Sequence, residues 1–430
     1  MNKDSGIKWL FLDLNSYFAS VEQQENPALR GKPVAVVPAD TDYTCAIAAS
    51  YEAKAYGIKT GTMIGEAKKM CPNLHCVVAQ HRPYVEYHNR IIEEVGKHIP
   101  INKICSIDEL SSRLPPSKRN IESAQIIATK IKTGIQQNIG SHIKCSIGVA
   151  PNSLLAKIAC DMKKPDGLTF ISQEDLPGPL LGLNLTDIPG IGFNMHKRLN
   201  KSGIYTMKDL WNTDPKHARK IWNNVQGERL WYWLHGYDFE PPETKPSMIG
   251  HSRVLDPEKR DYNSAQHMAR QLLLKAVYRL HNHTLIAQHL YFSAHIKNVG
   301  RWNKGINIYA TDNIFFLLEQ LDDIWNMMRL DLHKNCSNIT MLKFKKISIS
   351  LHGLTHKEDS TKDLFLHNIN DSSCKKALRE QNLFAAMKKL QNKYKSDVVT
   401  LGLPPKTNSG DIGTKIAFSR VPDIEEFWSE

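Results

Sequence analysis

The stretch KICSIDELSS, residues 103–112, sets two adjacent carboxylates, Asp108 and Glu109, at the end of a short apolar run that reads as a buried strand. Alone, an Asp-Glu pair where a strand meets a turn is ordinary surface polarity, because charged side chains seldom enter a core without partners. Its meaning depends on what else converges on it. Toward the N-terminus, WLFLDLNSYFASVEQ (residues 9–23) reads as an apolar strand from Trp9 to Leu14, then a helix with Asn15 or Ser16 as N-cap. Asp13 therefore sits near the end of an otherwise apolar run. If Asp13, Asp108 and Glu109 close neighbouring strands of one sheet, three like charges meet and raise each other's pKa until cations neutralise them. Hard oxygen donors without His or Cys select Mg²⁺. Two such ions about 3.5–4 Å apart stabilise the attacking and leaving oxygens of an in-line displacement, which is phosphoryl-transfer chemistry.

Further elements follow on both sides of this pair. GKPVAVV (31–37) and CAIAAS (45–50) read as strands, SYEAKAYG as a short helix closed by Gly57, and MIGEAKKMCP as another stopped by Pro72. A long amphipathic helix is predicted from 82 to about 99, then the strand into SIDEL, a helix over 121–139 and the strand IKCSIGVA (143–150). The order strand, helix, strand, strand, helix, strand predicts an α+β sheet of ferredoxin-like type with insertions. From Leu185 the texture changes to short helices around TDIPGIGFNMHKRLNKSGIYTMKDL, and FEPPETKPS (239–247) reads as an exposed linker. Residues 248–355 mix a long helix near Ser264 to His281 with β-rich runs such as HLYFSAHI and KKISISLHG. After Gly353 a polar, irregular stretch precedes a helix from about Cys374 to Tyr394.

At 430 residues the chain has room for about three domains on the usual domain size. Lys and Arg outnumber Asp and Glu by 56 to 44, a net +12, which favours a polyanionic partner. Half of that excess, 14 cations against 8 anions or +6, lies in residues 248–355 and marks a polyanion-binding module there. The eight Cys include no CxxC pair, so neither a disulfide framework nor a zinc site is expected, and the eighteen His lack ligand spacing. No signal-type or membrane-length apolar run occurs, giving the expectation of a soluble, cytoplasmic protein without a membrane partner.

FLDLNSYFASVEQ, SYEAKAYGIKTG, SIDE, SIGVAPNSLLAKIACDMKKPDG and DIPGIG occur in the order shown by Y-family, lesion-bypass DNA polymerases. The chain resembles that family, of the bacterial polymerase IV and V kind, well over about residues 7–260 and more loosely beyond. The resemblance implies a ferredoxin-like palm (1–17 and 82–172), small fingers (18–81) and a helical helix-hairpin-helix thumb (173–238). It further implies an α+β little finger (248–355) after the linker, and a C-terminal tail (356–430). It makes Asp13, Asp108 and Glu109 catalytic metal ligands, with the Leu14 backbone carbonyl as a fourth, holding two Mg²⁺ ions. Tyr17, Phe18, Tyr51, Lys54 and Lys164 fall at nucleotide-binding positions, Phe18 as a steric gate against the 2′-hydroxyl. Two departures bear on triphosphate binding: Lys54 stands where the family more often has Arg, and Ala48 where a hydroxyl is common. LSSRL after SIDE also lacks the aromatic and second acid often seen there.

In IPGIG (188–192), Gly190 and Gly192 let backbone N–H groups approach DNA phosphate at a helix N-terminus, with Lys197 and Arg198 about a turn further on. STKDLFLHN (360–368) resembles a clamp-binding peptide through Leu364 and Phe365, although Thr361 and Lys362 depart from the motif. QNLF (381–384) competes with it, but falls in a predicted helix where Leu383 and Phe384 are expected to face a core. The function implied is template-directed, low-fidelity translesion synthesis from dNTP onto a primer 3′-hydroxyl, in DNA repair and mutagenesis. Its partners are primer-template DNA, the sliding clamp and an accessory repair subunit. The rivals are a non-catalytic DNA-binding subunit of a repair assembly, which loss of an acid would have favoured, and a metal-dependent nuclease. All three acids are present.

Overall fold

Every residue of strand β1 (Trp9–Leu14) is buried, which requires cover on both faces of its sheet. The two-residue period of a strand sends Leu10, Leu12 and Leu14 into one core and Trp9 and Phe11 into another. The computed structural model describes residues 6–240, 247–334 and 341–359, with scattered positions between 379 and 393 and Val421. Helix α1 (Tyr17–Glu25) follows β1 at once, and its Phe18, Ala19 and Val21 pack into the same core as Leu12. Next come β2 (Val34–Val37), β3 (Ala48–Ala49), α2 (Tyr51–Lys54), α3 (Ile64–Met70) and β4 (His75–Val78). These form a small sheet in the order β3-β2-β4.

Helix α4 (His81–Gly96) returns the chain to the first sheet, which is completed by β5 (Lys103–Ile104), β6 (Glu109–Arg113), α5 (Ile121–Gly134), β7 (Cys145–Ala150), α6 (Ser153–Met162) and β8 (Leu168–Phe170). The sheet order is β5-β6-β1-β7-β8, with β1 antiparallel to both β6 and β7. Its first four strands reproduce the ferredoxin-like order predicted from sequence, with the small sheet inserted between α1 and α4. The one strand predicted to run into SIDEL is instead a hairpin: β5 stops at Ile104, and Glu109 opens β6. The Ser106 hydroxyl bonds the Asp108 carboxylate at 2.5 Å, and the Cys105 N–H donates to the Glu109 carbonyl at 2.9 Å. Local bonding by a Ser and an Asp thus turns a chain that periodicity alone would extend.

Four helices follow: α7 (Phe193–Lys201), α8 (Met207–Trp211), α9 (Pro215–Trp222) and α10 (Val225–Leu234). They share a core with Trp9, Phe11 and α6. Their exit is fastened to the first sheet. Asn152, the N-cap of α6, donates to the carbonyls of Trp233 at 2.7 Å and Tyr237 at 3.1 Å, while Trp9 Nε1 and Arg113 both donate to Asp238 at 2.8 and 2.9 Å.

The chain divides into two compact units between residues 241 and 242, inside the predicted linker. The second unit contains β9 (Met248–Val254), α11 (Tyr262–Asn282), β10 (Leu285–Ile296), β11 (Gly300–Thr311), α12 (Ile314–His333), β12 (Phe344–His352) and β13 (Thr355–His356). Its sheet runs β11-β10-β12-β9, and α11 and α12 cover the face carrying Leu290, Phe292, Ile347 and Ile349. The opposite face carries His289, Tyr291, His295, Lys346, Ser348 and Ser350, paired across strands. Helix α12 has no counterpart in the sequence expectations, although Ile314, Leu317, Leu318, Leu321, Trp325 and Met328 carry its helical spacing. Phe384 joins this core, as expected of QNLF, whereas Leu383 is half exposed. Leu364 and Phe365 lie outside the described residues. Among the described residues no helix is long and apolar enough to cross a membrane.

Candidate active site

Strand register assembles the acids. Pairing of β1 with β6 sets Asp13 directly opposite Glu109, on the face that Trp9 and Phe11 share with α6. Asp108 sits beside them in the turn, where its carbonyl accepts from the Leu14 N–H at 2.8 Å. The turn is pinned from behind by α4: buried His88 donates through Nδ1 to the Ile107 carbonyl at 2.7 Å. Helix α6 comes unusually close to the sheet because β7 presents Gly148; a Cβ there would lie 2.1 Å from the Ala156 carbonyl oxygen and 2.2 Å from the Cys160 nitrogen.

That approach delivers lysines to the acids. Lys157 Nζ stands 2.6 Å from Asp13, 2.7 Å from Glu109 and 3.2 Å from Asp161, and Lys164 Nζ stands 2.7 Å from Asp13 and 2.8 Å from Asp161. Burial works to raise the Asp13 carboxyl, yet the two ammoniums outweigh it and hold Asp13 below its ordinary value. Asp108 and Glu109 are pushed up by burial, opposed at Asp108 by the Ser106 hydroxyl and at Glu109 by Lys157. Lys157 and Lys164 rise despite burial, because Asp13 faces both. Asn15 ties the ends of the site together, with its amide on Ser146 of β7 and its oxygen accepting from the Asp166 N–H at 2.7 Å.

Sequence reasoning missed Lys157, Asp161, His88 and Asn15. The i, i+4 spacing of Lys157 and Asp161 was the available signal, since it sets both on one helix face. Among the described residues no three acid, His or Cys side chains stand at common metal-ligand distance, because Lys157 fills the gap between Asp13 and Glu109 and Asp108 turns to Ser106. The donor set still fits a hard divalent cation: it offers only carboxylate oxygens, two of them already gathered on one cation.

The residues expected from sequence to contact nucleotide fall into two groups. Ser50 caps α2 by accepting from the Ala53 N–H, which fixes Tyr51 and Lys54 on one helix face with Lys54 Nζ 4.3 Å over the Tyr51 ring. Burial raises the Tyr51 phenol and lowers the Lys54 ammonium, and both feel Lys164 and Asp13, so these residues form one electrostatic neighbourhood. Phe18 and Tyr17 are buried instead: Phe18 stacks on Tyr84 at 4.4 Å, and the Tyr17 hydroxyl donates to the Tyr84 carbonyl at 2.6 Å. In the hairpin before α7, Gly190 has φ +93°, a left-handed conformation that favours glycine, and the space around Gly190 and Gly192 is open. Lys197 and Arg198 are both exposed, and Arg198 Nη1 also donates to the carbonyls of Ile221 and Trp222 at the end of α9.

His88 gives a test of the buried frame. Burial lowers its pKa from the ordinary 6.5, so the unfolded ring takes up a proton first and stability is lost as pH falls below about 6.5 through the lower folded value. His88→Asn, which keeps a donor for Ile107 but cannot titrate, should flatten that decline in melting temperature between pH 7 and pH 5. An equal decline in both proteins would remove His88 as its source.

Residues 12–161 match the impB/mucB/samB family. A DNA polymerase IV of Saccharolobus solfataricus is 34% identical over 250 residues, covering 57% of this chain and 70% of that protein. The chain belongs to the Y family of DNA polymerases. A second Y-family relative, the DNA polymerase IV of Moorella thermoacetica, is 35% identical over 263 residues, which span 60% of this chain and 65% of that protein, just under two thirds of its length. Among solved structures, a chimeric Y-family DNA polymerase superposes with a TM-score of 0.66 at 25% identity, covering 81% of this chain and all of that one. The fold is accordingly α+β, with a palm-like five-stranded sheet in the first unit and a separate β-rich second unit.

Proposed function

We infer that this Y-family chain is a DNA-directed DNA polymerase performing low-fidelity translesion synthesis in DNA repair. The observation that carries the reading is the strand pairing of Asp13 with Glu109, with Asp108 in the adjoining turn and Tyr51, Lys54 and Lys164 at its edge. The primer 3′-hydroxyl attacks the α-phosphate of a dNTP, and pyrophosphate leaves. Asp13, Asp108, Glu109 and the Leu14 carbonyl would hold two Mg²⁺ ions, which when bound would supply charge stabilisation at the attacking and leaving oxygens. Lys164 and Lys54 neutralise the triphosphate and Tyr51 orients it. Phe18, held flat against Tyr84, excludes the ribose 2′-hydroxyl, and Tyr17 fixes the neighbouring backbone.

The Gly190–Gly192 hairpin with Lys197, and the polar open face of the little-finger sheet, hold primer-template DNA through its backbone. Lys197→Ala should weaken DNA binding equally across sequences and reduce the slope of log affinity against log salt by about one. An unchanged slope would take Lys197 out of the phosphate contacts. Leu364 and Phe365 dock on the sliding clamp, adding processivity by raising the local concentration of polymerase at the primer end. Replacing both with Ala should leave distributive synthesis intact and remove stimulation by the clamp; clamp-dependent synthesis that survives would place docking elsewhere. An accessory repair subunit completes the partners, and the site of action is the cytoplasm.

The non-catalytic alternative loses ground because the triad is intact and the relatives are named as polymerases. The direct test supplies one dNTP at a time to a primed template. Template-matched addition supports the reading, and degradation without addition would point to a nuclease.

A further inference from the structure

The lysine between the strand carboxylates has a second place to go. Lys157 Nζ bridges Asp13 and Glu109 at 2.6 and 2.7 Å with its side chain only 17% exposed. Asp161, one helical turn along, already lies 3.2 Å from the same nitrogen and is twice as exposed at 34%. Lys164 spans the same pair of destinations, 2.7 Å from Asp13 and 2.8 Å from Asp161. Three carboxylates therefore share two ammoniums, and Asp161 is the one of the three outside the inferred metal set. The α6 backbone is held against β7 by the close contact at Gly148, so a shift of the Lys157 charge is a matter of side-chain torsion along the Phe11 ring, 5.2 Å from Nζ.

We propose that Lys157 is the resident counter-ion of Asp13 and Glu109, and that Asp161 is the dock to which its ammonium transfers when a divalent cation takes those carboxylates. The proposal deepens the metal-binding part of the function inferred above and rests on it. Without the lysine, desolvated carboxylates would repel each other across the Asp13–Glu109 pair; with it, they stay in register and the metal competes with a built-in cation. Asp161 lowers the cost of that competition by receiving the displaced charge. Lys157 and Asp161 are thus positioning residues that set metal affinity.

The test is direct binding of Mn²⁺ to the full chain, without DNA or nucleotide, followed by loss of the free-ion paramagnetic resonance signal. Lys157→Met, which removes the competitor, should bind Mn²⁺ roughly tenfold more tightly than wild type. Lys157→Arg keeps a cation and should stay near wild type. Asp161→Asn, a near-isosteric change at a partly exposed position, should weaken binding by about threefold, because the lysines lose their alternative partner. Opposite signs for the two positions are the signature. Unchanged or weaker binding by Lys157→Met, or tighter binding by Asp161→Asn, overturns the proposal. Asp13→Ala separates the two levels of inference: if it binds Mn²⁺ as wild type does, the metal site itself is wrong. If it loses binding while Lys157→Met and Asp161→Asn behave as wild type, only the lysine transfer fails.

Discussion

Asp108→Ala is expected to cut nucleotide insertion by on the order of 10³-fold or more while leaving DNA affinity within about twofold. The carboxylate lies in the SIDE turn next to the Asp13–Glu109 pair, far in sequence from the Gly190–Gly192 hairpin and from the second unit's sheet, which are proposed to grip DNA. Stability should change little, because loss of the Ser106 hydroxyl bond to the carboxylate is offset by relief of the carboxylate's burial. Burial raises the Asp108 pKa, so its charged form is disfavoured in the folded state, and removing it relieves that cost at neutral pH. The backbone bond from the Leu14 N–H to the residue 108 carbonyl survives the substitution. Single-turnover insertion, DNA binding and thermal melting on the same preparation check the three statements together. Robust insertion with Mg²⁺ would remove Asp108 from the reaction, and a lower melting temperature would show that the carboxylate supports the turn.

Phe18→Ala should lower discrimination against ribonucleotides by about 10²-fold, the scale at which shape complementarity separates substrates differing by one small group. The ring is held rigidly: it stacks on Tyr84 at 4.4 Å, and Tyr84 in turn accepts the Gln80 N–H and donates to Glu22. A fixed flat surface leaves the added 2′-oxygen no room, whereas alanine opens that space. The same change removes a core ring, with an expected loss of about 3 kcal/mol of stability. Phe18→Tyr keeps both the packing and the barrier, and separates the two effects. An unchanged ratio of ribonucleotide to deoxyribonucleotide incorporation in an active Phe18→Ala enzyme would assign the ring to packing alone.

What the sequence discloses about this site follows from how each residue is held. Asp13 is legible because it interrupts an apolar strand buried on both faces, and only a partnered charge survives there. Glu109 is legible as a partner, but its strand is not: the run before it is short and apolar, and side-chain bonding around Ser106 breaks it into a hairpin. Lys157 escapes notice because a lysine in a helix ordinarily reads as a solvated charge. Only the close approach of α6 over Gly148 turns it inward. His88 is one of eighteen histidines without ligand spacing, and its bond to Ile107 exists only once α4 packs behind the turn. Arg198 shows the converse. Its position beside the glycine hairpin suggests a phosphate contact, and the fold adds a second bond that the sequence does not show, from Nη1 to the end of α9, while the side chain stays exposed. Period and charge thus disclose the sheet and its acids, whereas the cations that answer those acids depend on contacts between distant elements.

Primer extension past a single abasic site, compared with an undamaged template of the same sequence, with purified chain, four dNTPs and Mg²⁺, decides whether this chain is a lesion-bypass polymerase. A lesion-bypass polymerase with this site adds nucleotides on both templates, continues beyond the lesion, makes frequent mismatches on the undamaged strand, and loses all addition in Asp13→Ala. Extension that stops one nucleotide before the lesion, with accurate copying of the undamaged template, would contradict it, as would full activity in the Asp13→Ala protein.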